Sequence, residues 1–327
     1  MAISIPAMKM PQWRELNQLF SSLLRDLGLP LLGLAVFLLV WHGAANQIHT
    51  SLGKFPGPVE VLEQSKGLYA EYRDDKQREA AFYERQRNRH AERLQADSSY
   101  VADEIRPYTG KPTFIRQIGT SLKTVFTGFL LASLIAVPVG IAIGLSSNLY
   151  KAINPLIQLF KPISPLAWLP LVTIVVSALY TAQDGLPKSF ITSSITVMLC
   201  SLWPTLLNTA VGVTSVSADL VNVSRVLRLH WLRHVKSIVI PASVPMIFTG
   251  LRLSLSTAWM VLIAAEMLAQ NPGLGKFVWD EFQNGSSESL GRIMVAVITI
   301  GLIGYLLDRC MLQLQRWVSW DKQSVLR

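Results

Sequence analysis

Residues 244–268 read VPMIFTGLRLSLSTAWMVLIAAEML, a run in which Arg252 and Glu266 are the only charged side chains. A helix needs about 20 predominantly apolar residues to cross a hydrocarbon layer roughly 30 Å thick, where no water satisfies exposed backbone groups. This run therefore predicts a membrane-spanning helix. Five other stretches approach the same standard, at residues 29–47, 125–145, 155–180, 190–213 and 293–314.

The overall composition agrees with residence in a bilayer. Half of the 327 residues are hydrophobic and only 16% are charged, and the mean hydropathy is +0.36. We therefore expect an all-α, polytopic membrane protein with about six transmembrane helices rather than an ordinary soluble domain. The stretch at 155–180 contains Pro162, Pro165 and Pro170, so this helix should be kinked.

The net charge of +9 predicts an orientation in the membrane rather than nucleic-acid binding, because the basic residues are concentrated in short segments on one side. Both termini are therefore expected in the cytoplasm. A cleaved signal peptide ending near Gly43 is the alternative for the first stretch, and it is disfavoured because about 28 residues precede that stretch. The basic residues on the cytoplasmic side are Lys151, Lys161, Arg225, Arg228, Arg233, Lys236, Arg309, Arg316, Lys322 and Arg327.

The sequence contains no motif typical of catalysis, metal binding or ATP binding. Cys200 and Cys310 both fall inside predicted spans, and none of the five histidines belongs to an HExxH motif. The nearest approach to a phosphate-binding GxxxxGK[ST] loop lies at Gly275, where Gln270 replaces the first glycine and Phe277 replaces Ser or Thr. We therefore expect no catalytic residue, no metal site and no cofactor on this chain.

A long polar insert separates the first two predicted spans. Residues 71–95 read EYRDDKQREAAFYERQRNRHAERLQ, with nearly balanced charges and no Gly or Pro. This composition predicts a solvated helix or helical hairpin on the external face. The insert is either a docking element for an extracytoplasmic partner or a charged spacer.

These features divide the chain into five parts. They are a cytoplasmic N-terminal segment (1–28), a first transmembrane helix (29–47), an extracytoplasmic insert and lead-in (48–121), a core with five transmembrane helices (122–317) and a cytoplasmic tail (318–327).

Within the core, a segment predicted to lie in the cytoplasm mixes apolar and basic residues. Leu220, Val223, Val226 and Leu227 recur at helical spacing. Such a helix either lies along the membrane or presses its apolar side into a partner protein.

This segment resembles the conserved cytoplasmic loop of ABC importer permeases, which runs EAA, three residues, Gly, nine residues, then Ile-x-Leu-Pro. Here Asn222-Val223-Ser224 stand at the EAA position, Arg228 at the glycine, and Ile238 and Pro241 at the closing motif. The sequences SPLAWLP (164–170), IFTGLR (247–252), AAEM (264–267) and VWDEFQ (278–283) are similar to those of the nitrate, bicarbonate, sulfonate and taurine branch.

The resemblance implies the fold of a type I ABC importer permease in a bacterial cytoplasmic (inner) membrane. It further implies a homodimer of permeases, two ABC ATPase subunits that bind ATP and Mg, and an extracytoplasmic substrate-binding protein. The coupling loop would be 217–241, and its residues that contact an ATPase would be Asn222, Val223, Ser224, Arg228, Ile238 and Pro241.

Within the branch, the sequence AAEM followed by GLGKFVWDEFQNG (273–285) and LIGYLLDRCMLQLQRW (302–317) is most similar to nitrate permeases, which implies import of nitrate or nitrite. Bicarbonate, alkanesulfonate, taurine and cyanate are alternatives, because the branch shares these motifs. A secondary anion carrier is a more distant alternative, since the inverted repeats typical of many such carriers are not evident.

Several polar or aromatic residues within the spans are candidates for a translocation path or gate. Arg252, Ser256, Trp259 and Glu266 share one face of a helix. Arg252 either attracts a planar oxyanion or pairs with a carboxylate or carbonyls in the bundle, and the structural role is favoured because intramembrane charges usually pair. Glu266 would be a gate or an ion-pair partner, because a carboxylate would repel an anion.

Aromatic and hydroxyl side chains supply weaker candidates. Trp168 and Trp259 either narrow the path or pack against neighbours, and packing is favoured. The hydroxyls of the fourth span either line the path or hydrogen-bond to neighbouring helices. They belong to Thr192, Ser193, Ser194 and Thr196.

Overall fold

The structure, a computed structural model, describes residues 28–50, 53–96, 105–181, 185–286 and 288–318. The predicted N-terminal segment (1–28) and tail (318–327), with Lys322 and Arg327, lie outside the described residues except for positions 28 and 318. The chain divides into two compact units, Met1–Glu63 and Gln64–Arg327.

The described residues are mainly helical, with one short antiparallel hairpin formed by β1 (His49–Thr50) and β2 (Gly53–Lys54). The helices are α1 (Leu29–Gln47), α2 (Pro58–Ala96), α3 (Phe114–Leu145), α4 (Ser147–Phe160), α5 (Pro165–Leu179), α6 (Lys188–Thr214), α7 (Ala218–Val226), α8 (Trp231–His234), α9 (Ile240–Ala269), α10 (Leu274–Asn284) and α11 (Ser289–Val318), and a π-helical turn (Val235–Val239) joins α8 to α9.

Five of these elements are long and apolar enough to cross a membrane: α1, α3, α6, the continuous helix Trp231–Ala269 and α11. The pair α4 and α5 would make a sixth if it is counted as one broken span. All five coincide with apolar stretches of the sequence, and α1 covers the same residues as the first stretch.

The stretch predicted as one kinked helix over 155–180 is two helices, whose axes differ by 99°. The first begins at Ser147 and the second at Pro165. Pro162 lies in the break and lacks a backbone N–H, while the Ser164 hydroxyl accepts a hydrogen bond from the Leu166 N–H at 3.3 Å and caps the second helix. Because a new helix starts here with its own cap and a proline in its first turn, the chain turns a corner instead of bending slightly.

The core of the second unit is formed where α6 packs against both α3 and α9. The backbones approach closely at glycines: a Cβ on Gly140 would lie 2.8 Å from the Leu206 carbonyl oxygen, and one on Gly250 would lie 2.9 Å from the Thr205 Cα. Small residues at such crossings are typical of helix packing in membranes, where close van der Waals contact replaces the hydrophobic effect. Helix α4 adds Ile157 to this core.

The polar insert forms one continuous helix, α2, of 39 residues. The alternative of a helical hairpin was therefore wrong. At 1.5 Å per residue the helix is about 58 Å long. It begins at Pro58, well before the charged stretch, because the residues between the hairpin and that stretch also favour helix.

Candidate functional site

The loop 217–241 presents apolar side chains to its surroundings. Asn222 is exposed, and Val223 beside it is 49% exposed. The apolar residues exposed on α7, on α8 and between them form what we call the loop surface. It comprises Leu220, Val223, Val226, Leu227, Trp231 and Leu232. A surface of this kind needs either lipid or a protein partner to cover it.

Arg228 ends α7 in the left-handed conformation, with φ of 46°. The Arg228 N–H donates to the Arg225 carbonyl and the Leu229 N–H donates to the Ser224 carbonyl, both at 3.1 Å. These two bonds form a Schellman motif, in which glycine is the usual left-handed residue. A glycine at this position of the ABC permease loop would adopt the left-handed conformation without strain. This chain adopts the same backbone conformation with an arginine.

Ser224, predicted to contact an ATPase, is 6% exposed in the chain by itself. Its hydroxyl lies 2.8 Å from Nδ1 of His234, so that it joins α7 to α8 inside the loop. In this conformation Asn222 and Val223 are accessible to a partner and Ser224 is not. The sequence did not predict the contact between His234 and Ser224, because a spacing of ten residues does not indicate that two side chains meet across a turn.

The closing motif lies where the π-helical turn meets α9. The Ile240 N–H donates to the Val235 carbonyl, five residues back. Pro241 follows in the first turn of α9 and has no N–H to donate. Ile238 is half-buried in the turn. Local π-helical turns of this kind are frequent at functional sites.

Arg252 forms a bidentate ion pair with Asp308, which joins α9 to α11. Arg252 Nε donates to Asp308 Oδ1 at 2.5 Å and Nη2 donates to Oδ2 at 2.8 Å. The two side chains are 35% and 33% exposed. Two charges on helices that are apolar enough to span a membrane require protein or water around them, since lipid would leave them unsolvated. The sequence indicated that Arg252 needs a partner, but only the packing of α9 against α11 identifies Asp308.

Ser256 and Trp259 share a small cavity of about 70 Å³ with this ion pair. The indole N–H of Trp259 donates to the Ile300 carbonyl at 3.0 Å, and the residue is 6% exposed. A Cβ on Gly304 would lie 3.0 Å from Trp259 Cδ1, so α11 approaches the ring closely. Trp259 therefore packs α9 against α11, while Ser256 remains exposed.

Glu266 is fully buried and contacts neither Arg252 nor Asp308. Its carboxylate accepts hydrogen bonds from the Ser121 hydroxyl of α3, at 2.9 and 2.8 Å, and from the Gly275 N–H at 3.0 Å. Ser121 in turn accepts from the Leu274 N–H at 2.8 Å. The carboxylate thus holds the start of α10 against α3 and α9.

The shared helical face predicted for Arg252 and Glu266 does not bring them to one site. Fourteen residues of helix separate them by about 21 Å along the axis, and a seven-residue spacing drifts by about 20° per heptad. Arg252 therefore meets α11, whereas Glu266 meets α3 and α10.

Trp168 lies just after the corner between α4 and α5, where its ring stacks on Phe160 with centroids 6.0 Å apart. Its indole N–H has no hydrogen-bond partner among the described residues. The hydroxyl residues of the fourth span are all buried in α6. Thr196 donates to the Thr192 carbonyl at 2.9 Å, whereas the Ser193 and Ser194 hydroxyls have no partner in the described ranges.

Charged contacts attach α2 to the helices of the core. Arg116 on α3 pairs with Glu79 and lies 3.3 Å from Asp75. Arg292 on α11 donates to both oxygens of Glu71, at 2.7 and 2.6 Å. Ion pairs therefore join the insert helix to α3 and α11, and the alternatives of a docking element and a charged spacer both stay open.

Tyr108, in the segment between α2 and α3, strengthens this attachment. Its hydroxyl donates to Asp75 Oδ1 at 2.9 Å, and its backbone N–H donates to the Tyr83 hydroxyl at 3.1 Å. The hydrogen bond to the Asp75 carboxylate is the main reason that the pKa of Tyr108 is raised above its ordinary value. No sequence pattern pairs these positions, which are 33 residues apart.

The comparisons with known proteins place this architecture in a class of transport proteins. The chain belongs to the binding-protein-dependent transport system inner membrane components, whose family model matches residues 128–320. The match covers the loop 217–241 together with Arg252, Glu266 and Asp308, whereas Ser121 lies before its first residue.

Two relatives come from Synechococcus elongatus. The nitrate import permease protein NrtB is 35% identical over 237 residues, which cover 70% of this chain and 81% of the relative. The bicarbonate transport system permease protein CmpB is 34% identical over 293 residues, which cover 89% of this chain and 88% of the relative. Among solved structures, the MetNI methionine ABC transporter in an inward-facing conformation matches with a TM-score of 0.53 at 16% identity, covering 63% of this chain and 95% of the other, which supports the fold alone.

These matches confirm the predicted family, its nitrate and bicarbonate branch, and the fold of a type I ABC importer permease. The chain is a multi-pass permease subunit of the inner membrane and not itself an enzyme. A permease of this family works with ATPase subunits and with a substrate-binding protein.

Proposed function

We propose that this chain is the permease of an importer for nitrate, with nitrite as a related cargo. The observation that carries the proposal is the 35% identity to a nitrate import permease across most of that relative's length. Bicarbonate is the second candidate, because the bicarbonate permease aligns over a larger share of this chain, 89% against 70%. Nitrate and bicarbonate are both planar oxyanions, so a guanidinium in the path would suit either.

Reconstitution into liposomes tests the cargo and the mechanism together. The chain with its ATPases and binding protein should import labelled nitrate only when ATP is present, and unlabelled nitrate should compete better than bicarbonate, alkanesulfonate, taurine or cyanate. If unlabelled bicarbonate competed better than unlabelled nitrate, the proposed cargo would be bicarbonate. Nitrate flux through the chain alone would contradict an ATP-driven permease and favour a secondary carrier.

The proposed assembly is a homodimer of this chain on two ATPase subunits, with ATP and Mg bound by the ATPases and both permease termini in the cytoplasm. The exposed loop surface is the support for docking at 217–241, since its apolar side chains require cover. A cysteine at Asn222 should crosslink to an ATPase subunit. A cysteine at Ser224 is the matched control and should react poorly, because the side chain there is buried. Equal crosslinking at both positions would contradict this orientation of α7.

For Arg252, the bidentate contact with Asp308 supports a structural role. Two variants separate that role from an anion-binding one. If the pair is structural, Arg252→Gln and Asp308→Asn should both destabilise the protein, by about 1–3 kcal/mol for a pair that is about one third exposed, and should reduce uptake alike. If Arg252 contacts the anion, Arg252→Gln should abolish uptake while Asp308→Asn, which frees the guanidinium, preserves it.

A further inference from the structure

Helix α4 has three different sides, and the residues of each side recur three or four positions apart. One side faces the core, where Ile157 is 1% exposed and Ile153 packs against the same cluster. A second side is apolar but exposed, and it comprises Leu149, Ala152, Leu156 and Leu159. The third side is polar, and it comprises Ser147, Lys151, Asn154, Gln158 and, just past the end of the helix, Lys161.

The exposed apolar side of α4 needs cover, and the neighbouring helices indicate that lipid provides it. Leu156 and Leu159 are 54% and 63% exposed. The helices that α4 connects also carry exposed apolar side chains, such as Leu134 of α3 at 73% and Ile174 of α5 at 67%. Because α3 is apolar enough to cross a membrane and α5 contains no charged residue, acyl chains surround both helices and reach the apolar side of α4 as well.

The bend between α4 and α5 gives the direction of α4. The two helix axes differ by 99°. Since α5 is apolar along its whole length and enters the hydrocarbon layer, a helix at nearly a right angle to it runs along the membrane surface. An amphipathic helix in this position places its apolar side among the acyl chains and its polar side toward water.

Both charged residues on the polar side are lysines. The ammonium groups of Lys151 and Lys161 are exposed and form no hydrogen bond or ion pair with any residue that the structure describes. No Asp or Glu occurs in the sequence from residue 105 to residue 183, so the surrounding segment supplies no carboxylate to neutralise them. The two lysines lie about 15 Å apart along the helix axis. Lysines at a membrane surface attract anionic lipid headgroups.

We propose that α4 lies along the cytoplasmic surface of the membrane and binds anionic phospholipids there. Leu156 and Leu159 lie among the acyl chains, and Lys151 and Lys161 contact the headgroup phosphates. The cytoplasmic side follows from the proposed orientation, whereas the contact with lipid does not depend on it. Because α5 packs against α6 and α9, the bound headgroups hold the start of α5 at a fixed depth beside these two helices.

The first test measures the depth of α4 in the complete transporter, assembled in nanodiscs after Cys200 and Cys310 are replaced by serine. Bimane is attached to a single cysteine at Leu156 or, as the matched control on the polar side, at Gln158. A nitroxide on the lipid acyl chain should quench bimane at position 156, and aqueous iodide should quench it at position 158. If lipid nitroxide quenches neither position, because an ATPase subunit covers α4, the proposal is overturned.

The second test compares phosphatidylglycerol and phosphatidylcholine that carry the same nitroxide, with bimane at position 156. Phosphatidylglycerol should quench more strongly at equal content. Lys151→Gln and Lys161→Gln should each weaken its association, relative to phosphatidylcholine, about fivefold, the factor expected for one lysine near the membrane surface. Lys76→Gln is the matched control, since it removes the same charge from an exposed position of α2. Equal quenching by the two lipids, or an equal loss on Lys76→Gln, overturns the proposal.

Neither measurement involves transport, and both leaflets of the nanodisc have the same composition. A negative result therefore overturns the lipid site and leaves the proposed cargo and orientation as they are. Conversely, a cargo other than nitrate would leave the quenching at position 156 unchanged.

Discussion

At the scale of single residues, Arg228 is the clearest departure from the family loop. A non-glycine residue in the left-handed region costs roughly 1–2 kcal/mol. Arg228 takes that position at φ of 46° because the two hydrogen bonds of the Schellman motif require it there. An arginine is thus held in a conformation that glycine would adopt without strain.

Arg228→Gly should therefore raise the stability of the purified protein by about 0.5–1 kcal/mol, less than the full strain because glycine is also freer in the unfolded chain. The thermal midpoint measures this change. Arg225→Gly is the matched control, since Arg225 lies within α7 in a helical conformation, and it should lower stability by about as much. A loss of stability on Arg228→Gly would show that the arginine side chain makes a compensating contact.

Tyr108 gives the attachment of α2 a dependence on alkaline pH. Its pKa is raised above 10.0 in the folded protein, mainly by the hydrogen bond that it donates to Asp75. A raised folded pKa means that the protonated hydroxyl stabilises the fold fully below the unfolded pKa, and that this contribution is lost as pH rises through the folded pKa.

We expect the tyrosinate absorbance of Tyr108, isolated by subtracting the spectrum of Tyr108→Phe, to develop at a higher pH than that of a free tyrosine. Asp75→Asn should move the transition back toward the ordinary pKa, because the amide removes the negative charge that opposes ionisation. Glu84→Gln should not move it. A transition at the ordinary pKa in the unmodified protein would mean that the hydroxyl and Asp75 do not interact in solution.

At the scale of elements, a buried carboxylate holds the start of α10 in place. Glu266 accepts the Gly275 N–H, near the positive end of the helix dipole, and a hydroxyl from α3. Gly273 and Gly275 pack against the same side chain, because a Cβ at either position would collide with it. The turn between α9 and α10 is thus built around this group.

Glu266→Ala should destabilise the protein by about 2–4 kcal/mol, since it removes the carboxylate and leaves a buried N–H and a buried hydroxyl without an acceptor. Hydrogen exchange at the Gly275 amide should accelerate at the same time. Glu266→Gln keeps an oxygen of similar position and should cost distinctly less. If both variants exchanged as slowly as the unmodified protein, the cap on α10 would be contradicted.

At the scale of the whole molecule, the proposed topology separates the charged segments onto two sides. After replacement of Cys200 and Cys310 by serine, single cysteines at Lys151 and Glu84 test this separation, because both positions are exposed. In intact cells, or in vesicles that retain the cellular orientation, a membrane-impermeant maleimide should label position 84, on α2, and not position 151, on α4.

Labelling at position 151 should require permeabilisation of the membrane. Both positions carry charged side chains in the native chain, so neither substitution removes an apolar contact. If only position 151 were labelled from outside, the orientation of the protein in the membrane would be the reverse of the proposed one. Labelling of both positions from outside would contradict the assignment of α2 and α4 to opposite sides.

The sequence by itself determined the apolar spans, the absence of a phosphate loop motif and the family, because hydrophobic runs and local motifs depend on residues close together in the chain. It also indicated that Arg252 and Glu266 each need a partner inside the bilayer. The sequence did not predict the corner between α4 and α5, because the residues on both sides of it are apolar and hydropathy does not show where a second helix begins.

Only the tertiary structure decided which partners these groups have. Asp308 reaches Arg252 across 56 residues, Ser121 reaches Glu266 across 145, and Arg292 reaches Glu71 across 221. Such pairs form because helix packing brings distant side chains together, and no local periodicity encodes that packing. The same packing brings the charged helix α2 into contact with Arg116 of α3 and Arg292 of α11.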